Sequence, residues 1–287
     1  PRWSEQPAEA YGRASKLFVV GGRDEGVHKK LVPDVGLSQR RARLVARLRV
    51  SKTRRKEALV LVEGVRAVRE ALDAGADGRF AVTSPRLQQT SAGSALATRL
   101  AATALELHVI DDAELSELAD TDRPQGILLV CTEPRASLAV VEAGARLLVL
   151  DGVQDPGNTG TLLRASVAFG LDGVIALEGT ADPWAAKTVR ASAGMAFRIP
   201  VVQARSFDTV AALQQAGVAL RVAAVDGEPV VSDEPRAGFA LIVGNEGAGV
   251  RDELKAAATS TVSIPMRGSA ESLNVGMAAS VMLYELT

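Results

Sequence analysis

Short apolar runs alternate with segments of helical period along most of the chain, and few folds accept that alternation. Leu59-Val-Leu-Val62 precedes residues 65–74, whose apolar positions repeat at helical spacing; Phe80-Ala-Val82 precedes a helical 91–104; Leu107-His-Val-Ile110 precedes 112–119; and 126–131 adds a further strand. After 132–137, which holds Pro134, a fresh series begins with the strand Arg146-Leu-Leu-Val-Leu150. A helix over 160–169, strands over 173–177 and 198–202, a helix over 207–216 and strands over 219–225 and 238–244 follow. Strands apolar on both faces, interleaved with helices, predict an α/β fold with a parallel sheet covered on both sides. Ligands then belong in the loops at the carboxyl ends of the strands. The chain divides on this reading into an N-terminal arm (1–36), a small α/β domain (37–133), a linker (134–145) and a second α/β domain (146–287), since 287 residues exceed one ordinary domain.

Composition removes several classes. An apolar content of 47% with 23% charged residues supplies a core and excludes global disorder. No run approaches the roughly 18 apolar residues of a membrane span, and no apolar leader core is present, so neither a membrane nor a secretory route is expected. The one cysteine, Cys131, excludes an internal disulfide and a thiolate cluster; it fits a reducing, cytoplasmic compartment as a small buried residue. The two histidines, His28 and His108, stand alone, so neither a metal site nor a Ser-His-Asp hydrolase is expected.

Charge is unevenly spread. Residues 39–56 hold nine basic side chains and no acid, so the remainder carries −10 beside this +9, for a whole-chain −1. Leu37, Leu44, Val45 and Leu48 recur near helical spacing inside the run and give one docking stripe. The arginine face is left for solvent or a polyanion; such a cluster binds phosphates by counterion release. With ten aromatics in the chain, contact would rest on charge and backbone more than on stacking.

Three loop segments carry chemistry. Asp155-Pro-Gly-Asn158-Thr-Gly-Thr-Leu-Leu-Arg164 reads as a Pro-Gly turn with a helix capped at Asn158 or Thr159, but capping leaves no task for Arg164. Val243-Gly244-Asn245-Glu246-Gly247-Ala-Gly249 ends a buried strand in a glycine-rich turn, where a flat ligand can approach main-chain N–H and C=O groups. Ile264-Pro-Met266 is followed by Ser272-Leu273-Asn274-Val275 and a helix of small and apolar residues; Ser272 or Asn274 could be its cap. None is a G-x-G-x-x-G or Walker loop.

In this order the three segments resemble the three motifs of the SpoU (TrmH-type) branch of the SPOUT methyltransferases. The resemblance covers about 147–287; Arg43 to Ala74 is similar to the start of the ribosomal-protein-like substrate-binding domain of rRNA-modifying members, and Lys187-Thr-Val-Arg190-Ala-Ser192-Ala-Gly194 matches the family's basic segment. It implies transfer of a methyl group from S-adenosylmethionine to a ribose 2′-hydroxyl, a catalytic domain with a parallel sheet and deep trefoil knot, and a homodimer built against the last helix. It assigns Val243, Gly244, Asn245, Glu246, Gly247, Ile264, Met266, Ser272, Leu273 and Asn274 to the cofactor. Catalysis falls to Arg164, Asn158, Glu246 and Asn274. RNA contact would fall to Arg40, Arg41, Arg47, Lys52, Arg54, Arg55, Lys56, Arg164, Lys187 and Arg190.

The expected chemistry needs alignment, removal of water and help with one proton, because a sulfonium methyl is already activated. No metal is required. A guanidinium keeps its proton, so Arg164 is expected to pair with phosphate and steady developing oxyanion charge, while Glu246, Asn274 or a water completes the proton path. Large-subunit (23S) rRNA is the favoured substrate. A tRNA 2′-O-methyltransferase and a catalytically silent RNA-binding assembly protein are the alternatives.

Overall fold

The computed structural model describes residues 34–230, 238–269 and 271–287; apart from 34–36, the expected N-terminal arm lies outside them, as does His28. The first half contains β1 (Asp34–Val35), α1 (Gln39–Arg47), α2 (Ser51–Glu57), β2 (Leu59–Glu63), α3 (Val65–Asp73), β3 (Gly78–Thr83), α4 (Ser91–Ala101), β4 (Leu107–Val109), α5 (Asp112–Leu118) and β5 (Ile127–Thr132). Its five strands lie in the order β1-β4-β3-β5-β2, with β5 antiparallel to both β2 and β3. The pleat sorts the side chains of β2: Val60 and Val62 join the cluster under α3 and α4, while Leu61 joins Val45, Leu48 and Leu115 under α1 and α5.

The basic run is not one helix. The chain breaks at 48–50 between α1 and α2, and Ala58, at φ 51°, closes α2 in the left-handed region. The docking stripe forms nonetheless: Val45 and Leu48 are buried and Leu37 and Leu44 pack against them.

The second half contains β6 (Arg146–Asp151), α6 (Pro156–Ala168), β7 (Gly173–Ala176), α7 (Ala186–Ala191), β8 (Val201–Gln203), α8 (Ser206–Gln215), β9 (Ala219–Pro229), β10 (Phe239–Gly244), α9 (Asp252–Ala256), β11 (Ser260–Ser263) and α10 (Val275–Leu286). Six strands lie in the order β11-β9-β10-β6-β7-β8, every neighbouring pair parallel. Leu148, Leu150, Leu241 and Val243 share a core with residues of α6, α7 and α10. Leu147, Val149, Ala240 and Ile242 pack on the opposite side with Leu213 of α8 and Leu254 of α9. Both faces are therefore covered, and the loops beyond β6, β10 and β11 share one edge of the sheet.

Helix α6 begins earlier than expected. Asp155, not Asn158 or Thr159, is its cap: the Asp155 carboxylate accepts from the Asn158 N–H at 2.8 Å, and Pro156 occupies the first turn. That frees the Asn158 side chain for other partners. Gly160 lets α6 lie against α7, since a Cβ there would sit 2.5 Å from Ala191 Cβ and 2.7 Å from the Thr188 carbonyl.

Candidate active site

Three loops meet at the carboxyl edge of the second sheet. Asn274 Nδ2 donates to Asn158 Oδ1 at 2.9 Å, and Asn158 Nδ2 donates to Glu246 Oε1 at 2.9 Å. Residues 116 and 88 positions apart in sequence are thereby joined by one unbroken line of hydrogen bonds. Asn274 is also the cap of α10, accepting from Gly276 N at 2.9 Å and Met277 N at 3.3 Å. One amide serves both partners, its oxygen capping the helix and its nitrogen bonding Asn158.

Beside this line lies a cavity of about 800 Å³, within the size range of small-ligand clefts. All ten residues assigned to the cofactor border it: Val243, Gly244, Asn245, Glu246, Gly247, Ile264, Met266, Ser272, Leu273 and Asn274. The middle of β9, residues 222–226, also lines it, together with Lys255. Sequence reading missed that wall, since β9 becomes a neighbour of β10 only through sheet order.

The glycine turn is held from both ends. Asn245 Nδ2 donates to the Gly152 carbonyl at 2.9 Å, while its Oδ1 accepts from Gly247 N at 2.9 Å and Ala248 N at 3.0 Å. Asn245 and Gly249 exchange a pair of backbone bonds. Beyond the turn, Arg251 donates from its backbone at 2.8 Å and from Nε at 2.6 Å to Asp151, which is buried at the end of β6. Asp151 and Arg251 were also missed; an Asp-Gly after a strand reads as a plain turn until its partner, one hundred positions later, is seen.

Arg164 lies apart from the line. It is exposed on α6 and makes no hydrogen bond or ion pair among the described residues, nor does it border the cavity. Six positions along a helix separate it from Asn158 by about 9 Å of rise and 240° of turn. The neighbouring α10 exposes Met277, Val281 and Tyr284 at helical spacing, with Tyr284 edge-on to Phe169 at the end of α6.

Three cations expected on an RNA face are turned elsewhere. Arg54 is 3% exposed and spends its guanidinium on the Leu48 and Arg49 carbonyls, both at 2.9 Å, and on Asp182 at 2.6 Å. Arg190 bonds Asp120 at 3.1 Å and faces the buried Glu63 carboxylate at 3.6 Å. Arg41 pairs with Glu106 at 2.5 Å and lies over the Phe80 ring. Arg40, Arg47, Lys52, Arg55, Lys56, Arg164 and Lys187 are exposed. Among the described residues no group of three His, Cys, Asp or Glu is arranged to hold a metal, and no helix is long and apolar enough to cross a membrane.

Comparison with known proteins bears directly on these loops. Residues 145–284 match the SpoU rRNA methylase family, and residues 39–129 match the MRM3-like substrate binding domain. The chain is 36% identical to the 23S rRNA (guanosine(2553)-2′-O)-methyltransferase RlmP of Bacillus subtilis, over 84% of this chain and 93% of that one. Among solved structures, the AdoMet-bound SpoU methyltransferase AviRb of Streptomyces viridochromogenes superposes with a TM-score of 0.76 at 28% identity, covering 86% of this chain and 97% of its own. An AdoMet-bound rRNA methyltransferase of Sinorhizobium meliloti gives 0.75 at 29% identity, covering 88% and 96%.

Proposed function

The chain belongs to the SpoU rRNA methylase family, and from that premise we propose that it methylates a ribose 2′-hydroxyl of large-subunit (23S) rRNA with S-adenosylmethionine. The observation that carries this reading is the line Asn274–Asn158–Glu246 at the mouth of the 800 Å³ cavity. The cavity fits the cofactor chemically: a turn rich in glycine on one side and Ile264, Met266 and Leu273 on the other suit a flat heterocycle. S-adenosylmethionine supplies a methyl group already activated on a sulfonium.

The protein's share is to align and deprotonate. As the ribose oxygen bonds to carbon, its proton must leave and the carbon–sulfur bond must break with both electrons going to sulfur. Glu246 is the proton acceptor in this scheme, directly or through one water, and Asn158 holds its carboxylate in one orientation while Asn274 fixes the Asn158 amide. Arg164 contacts the target phosphate and steadies the oxyanion. Its distance from the line is explained if α6 and α10 pack against a second copy of the chain through the exposed stripe Met277, Val281 and Tyr284, completing the site as a homodimer.

The remaining parts follow. Residues 37–133 form the RNA-binding domain, 134–145 the linker and 146–287 the catalytic domain, whose C-terminal chain is threaded as a trefoil knot. Arg40, Arg47, Lys52, Arg55, Lys56 and Lys187 contact phosphates. The buried thiol of Cys131 accords with a cytoplasmic enzyme.

The test is transfer of labelled methyl from S-adenosylmethionine to unmodified large-subunit rRNA, small-subunit rRNA and tRNA. Alkali-stable label at one ribose of large-subunit rRNA, with Arg164→Ala slower by about 100-fold and cofactor affinity unchanged, is the expected result. Cofactor binding without label in any RNA would overturn it.

A further inference from the structure

A second cavity, of about 770 Å³, opens on the same edge of the second sheet at the ends of β7 and β8. A thin crest separates it from the cofactor cavity. Thr180, in its wall, donates to the Leu150 carbonyl at 2.8 Å and accepts from Gly152 N at 3.1 Å, and the Gly152 carbonyl takes the Asn245 amide from the other side. The cavity depends on the junction between the two halves of the chain, because Arg55 of α2 and Ser137 of the segment leading to β6 close one wall. Arg54, the preceding residue, anchors α2 at that position through Asp182.

The lining has the chemistry of nucleotide recognition. Arg55 is exposed, without a hydrogen bond or ion pair among the described residues, and adjoins the free cations Lys52 and Lys56. Gln203 presents an exposed amide. Glu178 is oriented as an acceptor by Ser206 N at 3.1 Å and Arg251 at 3.4 Å. Burial would raise its pKa, but hydrogen bonds from its own backbone N–H, from Ser206 N and from Arg251, with the Arg251 charge, together hold it below the usual value. An ionised carboxylate accepts from the amino group of a base. Phe207, at the start of α8 between the lining residues Arg205 and Asp208, is 79% exposed in a chain with few aromatics.

We propose that this cavity is a second nucleotide subsite, which takes an unpaired base carrying an amino group from the RNA whose ribose is methylated next door. This rests on the methyltransferase reading and extends it. Phosphate sits on Arg55, the base edge meets Glu178 and Gln203, and Phe207 supplies a stacking face. The charge pattern favours RNA over a free small molecule, since Arg55 in the lining is flanked on α2 by the exposed cations Lys52 and Lys56.

Ala136→Trp fills the cavity from an exposed position of its wall, and Ala139→Trp, exposed but outside the lining, is its control. With a large-subunit rRNA transcript, Ala136→Trp should raise Kd and KM for RNA about tenfold, the worth of one stacked base, with kcat and cofactor affinity unchanged. Arg55→Ala should lower the salt dependence of RNA binding by about one counterion. Short-wave ultraviolet cross-linking should place an adduct within residues 203–207. Equal RNA affinity for the two tryptophan variants, or adducts confined to other peptides, would overturn the subsite. The binding and cross-linking arms do not need turnover, so loss of the methyltransferase reading would appear separately, as wild-type protein that binds RNA without transferring methyl.

Discussion

Arg54 and Asp182 form a 2.6 Å ion pair across the junction between the two sheets, with only 3% and 14% of their side chains exposed. Two carbonyls share the same guanidinium, so the pair is fixed in geometry as well as charge. Arg54→Ala leaves Asp182 without its cation and should destabilise the protein by about 3 kcal/mol in denaturant titration. Lys56→Ala, two positions away on the exposed side of α2, should change stability by less than about 0.5 kcal/mol while weakening RNA binding.

Gly244 meets the other end of its own turn. A Cβ there would lie 2.2 Å from the Gly249 carbonyl carbon and 2.3 Å from Val250 N. Because these are backbone atoms, Gly244→Ala must displace the turn. Affinity for S-adenosylhomocysteine, measured by calorimetry, should fall by at least tenfold, with a stability loss of about 1–3 kcal/mol.

Glu133 lies beside the Arg54–Asp182 pair, and burial first, then the Asp182 charge, pushes its pKa above the usual glutamate value. The folded state therefore binds its proton more tightly than the unfolded chain does. Stability from this group is fully present below the unfolded value and is lost as pH rises through the raised folded value. Glu133→Gln removes the loss, so its melting temperature should exceed that of the wild type at pH 7 and the two should converge in acid below the ordinary glutamate range. A gain that persisted undiminished into acid would contradict this assignment.

Cys131 is buried in β5, and burial together with the nearby Asp77 charge pushes its thiol up to about 12. At pH 8 the thiolate fraction is then roughly one in ten thousand. Ellman's reagent should leave the native protein unmodified and titrate one thiol per chain after denaturation.

Much of the fold was legible because the strands of the second sheet are apolar on both faces, and Asn158, Glu246 and Asn274 could be singled out as loop residues after such strands. What was not legible is orientation. Charge counting treats Arg54, Arg55 and Lys56 alike, yet α2 turns Arg54 inward onto Asp182 and leaves the other two outside. Successive side chains on a helix point about 100° apart, and a charge count does not see that. Asn158 or Thr159 as the cap gives way to Asp155, whose carboxylate accepts from the Asn158 N–H and so starts the helix one turn earlier, with Pro156 in its first turn. The β9 wall of the 800 Å³ cavity depends on β10 lying between β9 and β6, a long-range pairing with no local signature.

The bracing of the 245–249 turn has a thermodynamic corollary. Its amides are already bonded to Asn245, and its exit is fastened to Asp151 by Arg251. A wall that holds its shape in advance loses little conformational entropy when a ligand arrives, so affinity there should track the surface that the ligand buries and not the ordering of a loop. Nucleotide analogues that lack the methionine tail should therefore still find a finished seat, and truncating the ligand should weaken binding in graded steps instead of abolishing it.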